Sequence, residues 1–206
     1  MRRVLALAGA AVAVAFAVLL LLLAVDVRRY ERALVDDDSV FRVDPVRQDL
    51  WQPSQLVPLG TARRLLGVGD QIEYRRAVRL FALGRPRVNA FEASPEMQRH
   101  RAEAAVELWR VAQDDPQSLR RSRALNMLGV LDLVSVGSDE PVERMRALVR
   151  ATSSFRRAIA ADERNAEAKF NLEVALRLID EVRLNNPTLK GLGGAATHVD
   201  ETGTGY

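Results

Sequence analysis

Two histidines, His100 and His198, are the only imidazoles in a chain of 206 residues that holds no cysteine. Thiol nucleophiles, zinc–thiolate sites and disulfides are therefore excluded. His100 stands in a helical stretch among Arg99, Arg101 and Glu103, which predicts a solvated surface position; His198 falls in a glycine-rich tail. Asp36, Asp37 and Asp38 are the densest carboxylates. Consecutive carboxylates cannot all turn inward on one cation, so this run reads as a solvated spacer and not as a metal site. Gly191, Gly193 and Gly194 lack the preceding strand and following helix that a phosphate-cradling loop requires. H-E-x-x-H, P-loop and G-x-S-x-G motifs are absent. The chain therefore reads as a protein without catalytic residues, metal or cofactor.

With no chemistry to position, the elements themselves become the informative feature. Residues 4–25, VLALAGAAVAVAFAVLLLLLAV, carry no charge and no strong polar group. As a helix they reach about 33 Å, against a hydrocarbon core of about 30 Å. The run exceeds the usual signal-peptide core, lacks a small-x-small cleavage site, and is followed by Arg28, Arg29 and Tyr30, as expected at a headgroup boundary. These features predict one uncleaved membrane helix. Arg28, Arg29, Arg32 and Arg42 after the span outnumber Arg2 and Arg3 before it, which by the positive-inside count leans toward a cytoplasmic remainder.

The formal charge is only +3, and of the 30 basic residues all but Lys169 and Lys190 are arginine. The arginines are interspersed with acids at helical spacing, a solvated helix surface and not the contiguous stripe that nucleic acid wants. Hydrophobic residues make up 48% of the chain, enough for a packed core beyond the anchor. The expected organisation is an anchor at 1–27, a proline-containing neck at 28–60, a helical domain at 61–185 and a disordered tail at 186–206. The neck is expected to be irregular because of Pro45, Pro53 and Pro58. Phe41 and Trp51 within it either belong to an extended linker or dock onto the helical domain.

From Thr61 the punctuation is helical. Thr61 can cap a turn ending at Gly67, and Asp70 a helix of about 71–83 ending at Gly84 and Pro86. Ser94-Pro95 and Asp115-Pro116 each read as an N-cap followed by proline, opening helices of about 95–113 and 117–135. Ser138 and Pro141 frame a helix of about 142–161, and Asn165 caps one of about 166–184 that Asn186-Pro187 ends. Val142, Met145, Leu148, Val149, Thr152, Phe155 and Ile159 recur every three or four residues; so do Leu172, Ala175, Leu176, Ile179 and Val182, and Leu125, Leu128 and Leu131. No stretch alternates with period two. The expected fold class is all-α, one transmembrane helix followed by antiparallel helical hairpins.

Ala151, Phe155 and Ala158 have the A-x3-F-x2-A spacing of the second helix of a tetratricopeptide repeat, where small residues let helices approach and the aromatic fills the hole beside them. Asn171-Leu172 fits the next first helix, Ala104, Leu108 and Pro116 fit an earlier second helix, and NMLG, ending at Gly129, fits a first helix. Glu163 stands where the usual proline would, Glu173 replaces a small residue, and Ala151 comes about ten residues late counting from Gly129, with SVGSDEP filling the extra turn. The layout as a whole, with GDQIEYRRAVRLF, RRSRALNMLGVL and FRRAIAADERNAEAKFNLEVALRL in order, resembles the bacterial membrane-anchored tetratricopeptide proteins of gene clusters encoding MoxR-type ATPases and von Willebrand factor A proteins, the Bat-like system. The resemblance implies a scaffold beside von Willebrand A membrane proteins and a MoxR-type ATPase, with the soluble part on the extracytoplasmic side of the cell membrane. In such arrays first helices line a concave face. Here that face would carry Arg123, Asn126, Lys169 and Asn171, whose amides and cations suit a partner backbone and its carboxylates. The alternative is a structural envelope protein whose bundle packs in a membrane complex without a groove.

Overall fold

The computed structural model describes residues 2–57, 60–85, 94–134 and 140–187, with the backbone alone for 2–8. His198, Gly191, Gly193, Gly194, Pro58, Pro86, Ser138 and the 188–206 part of the tail lie outside the described residues. Among the described residues the chain is all helical: α1 (Arg2–Val43), α2 (Thr61–Leu66), α3 (Gly69–Gly84), α4 (Pro95–Asp114), α5 (Ser118–Val134), α6 (Pro141–Ala161) and α7 (Ala166–Asn185). They form two compact units, residues 1–75 and 76–206, and the division falls within α3.

In the first unit α1 is one unbroken rod of 42 residues, about 63 Å long. Its Gly9–Val43 part is long and apolar enough to cross a membrane. A core helix would hide its apolar side chains, yet Val12, Val14, Phe16, Leu20 and Leu21 are all exposed. The expected irregular neck is corrected here. Residues 26–43 contain no proline or glycine, and Arg28, Arg29, Arg32 and Leu34 favour helix. The helix ends only where Pro45 disfavours further helical geometry in the residue before it. Asp44 then accepts the amide of Val46 in a turn.

Beyond that turn the chain runs back along α1. Leu50 and Trp51 are buried with Tyr30, Ala62 and Ile72, and Leu23, Val27, Leu34, Phe41 and Leu66 pack around them. The Phe41 and Trp51 rings meet at 5.6 Å between centroids. Trp51 therefore docks onto the extended α1 and the α2–α3 region, and Phe41, itself on α1, packs against it. Trp51 adopts φ 59°, a left-handed conformation that is strained for a bulky residue. Burial of the indole offsets that strain, and so do two bonds: its amide donates to Asp37 at 2.6 Å and its Nε1 to Asp38 at 2.9 Å. Lower down, Gln55 donates to the Tyr30 hydroxyl, Arg29 to the Ser54 carbonyl, and the amides of Leu56 and Val57 to Asp26. Asp37 and Asp38 are thus structural acceptors, which corrects their reading as a solvated spacer; only Asp36 of the three is exposed.

Asp38 also holds Arg75 through two bonds of 2.8 Å. Burial pushes its carboxyl up, but the Arg75 and Trp51 hydrogen bonds outweigh this and leave it below the usual aspartate range. A folded value below the unfolded one means stability that is present at neutral pH and fades as acid takes the group through its folded value. In a Trp109→Phe background, Trp51 fluorescence should show the urea midpoint of the first unit falling below about pH 4, and Asp38→Asn should flatten that fall. Parallel pH curves for the two proteins would refute the assignment.

The second unit contains α4–α7, and most of its local signals stand where expected. Ser94 caps α4 by accepting the Met97 amide, with Pro95 as first helical residue. Asn165 caps α7 by accepting the Ala168 amide. Pro141 opens α6 behind Glu140, which makes no side-chain cap bond. Four assignments change across the two units. Asp115 closes α4 and does not cap α5: its buried carboxylate takes the Gln117 amide and Arg120, and α5 starts at Ser118. Thr61 is the first residue of α2 behind Gly60, and Asp70 lies inside the first turn of α3. His100 is not a solvated surface residue; its side chain is 19% exposed, between Glu96 and Glu103 at 3.8 and 3.7 Å.

Candidate partner-binding face

Packing in the second unit is set by α5, α6 and α7. Ser122, Gly129 and Asp132 along α5 meet Ala158, Phe155 and Arg150 along α6, so these two helices are antiparallel. Met145 and Leu148 of α6 cluster with Ile179 and Val182 of α7, while the later Ala151 and Phe155 cluster with the earlier Ala175 and Leu172. That pair is antiparallel too. It follows that α5 and α7 run parallel on one side of α6. Their polar contacts agree: Asn165 donates to Ser122 at 2.8 Å, and Asn171 donates to Asn126 at 2.9 Å.

The expected packing residues meet as the small-and-aromatic logic requires. Ala104, Leu108, Ala151, Phe155 and Ala158 are all fully buried, and Leu172 is partly buried. Gly129 has no side chain because the Phe155 ring occupies that space. Ser122 went unnoticed in the sequence. It is fully buried, donates to the Ala158 carbonyl at 2.7 Å and receives Asn165, tying α5, the end of α6 and the start of α7 at one point. A serine amid RRSRALN carries no local signal of such a role.

The four proposed partner-binding residues divide. Asn126 is buried, and Asn171 is half-buried and bonded to it, so this pair spends part of its amide capacity inside the fold. Arg123 is exposed on α5. Lys169 is exposed too, but two residues of α7 turn about 200°, which puts it on the far side of the helix from Asn171. The structure therefore brings Arg123, Asn126 and Asn171 together and leaves Lys169 out.

Rotation about the same helices shows what joins them instead. Turned away from α6 are Leu119, Arg123 and Met127 on α5, and Glu167, Phe170 and Val174 on α7. Leu119 is 45% and Phe170 65% exposed. The open side thus offers two apolar side chains with a cation and an acid around the Asn126–Asn171 bond, a set that suits one face of an amphipathic protein segment. Asp132 lies outside this face; burial pushes its carboxyl up, and Arg150 opposes that shift in part. Among the described residues no cluster of acids and histidines could hold a metal ion. No family model, curated protein or solved structure matches this chain.

Proposed function

We propose that this protein is a membrane-tethered scaffold for protein–protein interaction, with degenerate tetratricopeptide-like helical pairs. The observation that carries the reading is the parallel α5 and α7, backed by α6 and joined through Ser122–Asn165 and Asn126–Asn171. First helices lie side by side in this way in repeat arrays, and their open side is where such arrays take partners. The tether is supported by the exposed apolar flank of α1. Retention of α1 is supported by Leu23, Val27 and Tyr30, which belong to the first unit's core, so the helix passes from span to domain without an extended cleavage site. The partners proposed from the sequence resemblance are von Willebrand A membrane proteins and a MoxR-type ATPase, on the extracytoplasmic side of the cell membrane, with no reaction catalysed by this chain itself.

A photo-crosslinker placed at Phe170 in the full-length protein in cells tests the face. It should capture a discrete protein partner that a crosslinker at Arg110 on α4 does not. Arg123→Glu should cut recovery by about tenfold, the effect of losing one contact of ~1.4 kcal/mol. Equal capture from both positions would remove the face from consideration. The second reading, a bundle that packs in an envelope complex without a groove, draws on the mutual engagement of Asn126 and Asn171. It requires lateral contacts from α4 and none from Phe170.

A further inference from the structure

We propose that α2 is a second lipid contact: Leu65 inserts at the headgroup boundary of an anionic bilayer, and Arg64 with Arg28 and Arg32 of α1 binds headgroup phosphates. This rests on residues 4–25 crossing the membrane. The position of α2 follows from its buried side. Ala62 and Leu66 join the cluster that lines α1 from Leu23 to Phe41, so α2 packs on that side of the rod. The chain arrives there because Asp26, one residue beyond the run, holds the amides of Leu56 and Val57. Helix α2 is then bracketed by two left-handed glycines, Gly60 (φ 65°) and Gly67 (φ 61°), which bend the backbone sharply at both ends. A short helix is thereby fixed beside α1 at the level where hydrocarbon gives way to headgroups.

Its outward side has the chemistry of that level. Leu65 is 67% exposed, and Arg64 beside it is exposed. Residues 64 and 65 lie about 160° and 60° from the buried Ala62 direction on a helix, so neither reaches the core. Arg28 and Arg32 are exposed one turn apart on α1, and the side chains of these two and of Arg64 make no hydrogen bond or ion pair among the described residues. Two exposed acids stand near these three cations, Glu31 and, one turn beyond Arg32, Asp36. A large exposed leucine beside Arg64 suits an anionic interface, where the one inserts and the other meets phosphate, and Arg28 and Arg32 reach the same headgroup layer from the side of α1 turned away from α2. Each basic residue at such a surface strengthens attraction about fivefold.

The cysteine-free chain makes the test clean. Leu65→Cys, Val18→Cys and Val43→Cys, each labelled with an environment-sensitive fluorophore, are placed one at a time in the full-length protein. Nanodiscs are made from phosphatidylglycerol or phosphatidylcholine with lipids quenched at shallow or deep positions. Val18 should be quenched by deep lipids in both. Leu65 should be quenched by shallow lipids in phosphatidylglycerol, at least about twofold more than in phosphatidylcholine, and the combined Arg28→Glu, Arg32→Glu and Arg64→Glu changes should abolish that difference. Val43, about 27 Å beyond Val25 along the rod, should stay unquenched. Quenching at Val18 with none at Leu65 overturns the α2 contact and leaves the anchor standing. Equal Leu65 quenching in both lipids overturns headgroup recognition. Loss of quenching at Val18 overturns the anchor and this proposal with it.

Discussion

Phe155→Ala should lower the stability of the second unit by about 3–5 kcal/mol, the range for emptying a buried aromatic site. The ring is fully buried, and it fills the space between Gly129 of α5 and Ala175 of α7 while standing on α6. One side chain thus holds three helices, and its removal leaves a void that fully buried alanines at 151 and 175 cannot fill. The complementary change is Gly129→Ala. A Cβ there would stand 2.7 Å from the ring's Cδ1 and Cζ, with Cε1 closer still. Overpacking of this kind costs about 1–3 kcal/mol, and the better helix propensity of alanine returns up to about 1 kcal/mol. The decisive quantity is the coupling between them. In a Phe155→Leu background the methyl group has room, and Gly129→Ala should become neutral or stabilising. Urea unfolding of the full-length protein in detergent, read by amide exchange within α5–α7, gives the four corners of the cycle. If Gly129→Ala costs the same with and without the ring, the close approach does not set the packing of these helices.

The approach of Phe155 to Gly129, 26 residues earlier, was not legible in the sequence, whereas Phe155 itself was legible as a packing residue because its spacing with Ala151 and Ala158 lies within a few turns of chain. The same holds for Ser94 and Asn165, whose cap bonds reach three residues, and for Gly67, whose left-handed φ ends α2. Legibility fails where a contact is distant in sequence. Asp38 reaches Arg75, and Ser122 reaches Asn165; nothing beside either residue announces the partner. The neck was misread for a related reason. Prolines 45, 53 and 58 all lie in the later part of the segment, while Val27, Tyr30, Leu34 and Phe41 in the earlier part keep the apolar spacing that extends α1. In α5 the expected stripe of Leu125, Leu128 and Leu131 describes only part of what is hidden. Ala124, Asn126 and Gly129 are buried as well, because neighbouring helices cover this rod on several sides and a one-sided pattern cannot describe it. The candidate face suffered likewise. Arg123 was visible as a cation on a first helix, but Phe170 gains meaning only once α7 is known to run parallel to α5.

Asp26→Leu should release residues 51–57 from α1 while leaving the rod itself intact. Asp26 is 1% exposed, and both of its oxygens are engaged: Leu56 donates to each at 2.9 Å and Val57 to Oδ2 at 2.7 Å. Hydrogen bonds to a charged group contribute about 1.5–3 kcal/mol each. Leucine keeps the bulk and removes the acceptor, so two amides would stay in place only by remaining buried without a partner. The less costly outcome is local opening, with the returning segment hydrated and α1 still helical on its own propensity. Hydrogen exchange at Leu56 and Val57 should accelerate by at least about a hundredfold, equivalent to ~2.7 kcal/mol, and protease should cut within the opened segment while overall helix content changes little. Asp36 supplies the contrast. It is an exposed aspartate on the same helix, and Asp36→Ala should change stability by no more than about 0.5 kcal/mol. Were Asp26→Leu as silent as Asp36→Ala, the return of the chain along α1 would have to be held by Leu50 and Trp51 with the Gln55–Tyr30 and Arg29–Ser54 bonds, and the carboxylate at the edge of the apolar run would not be its lower clasp.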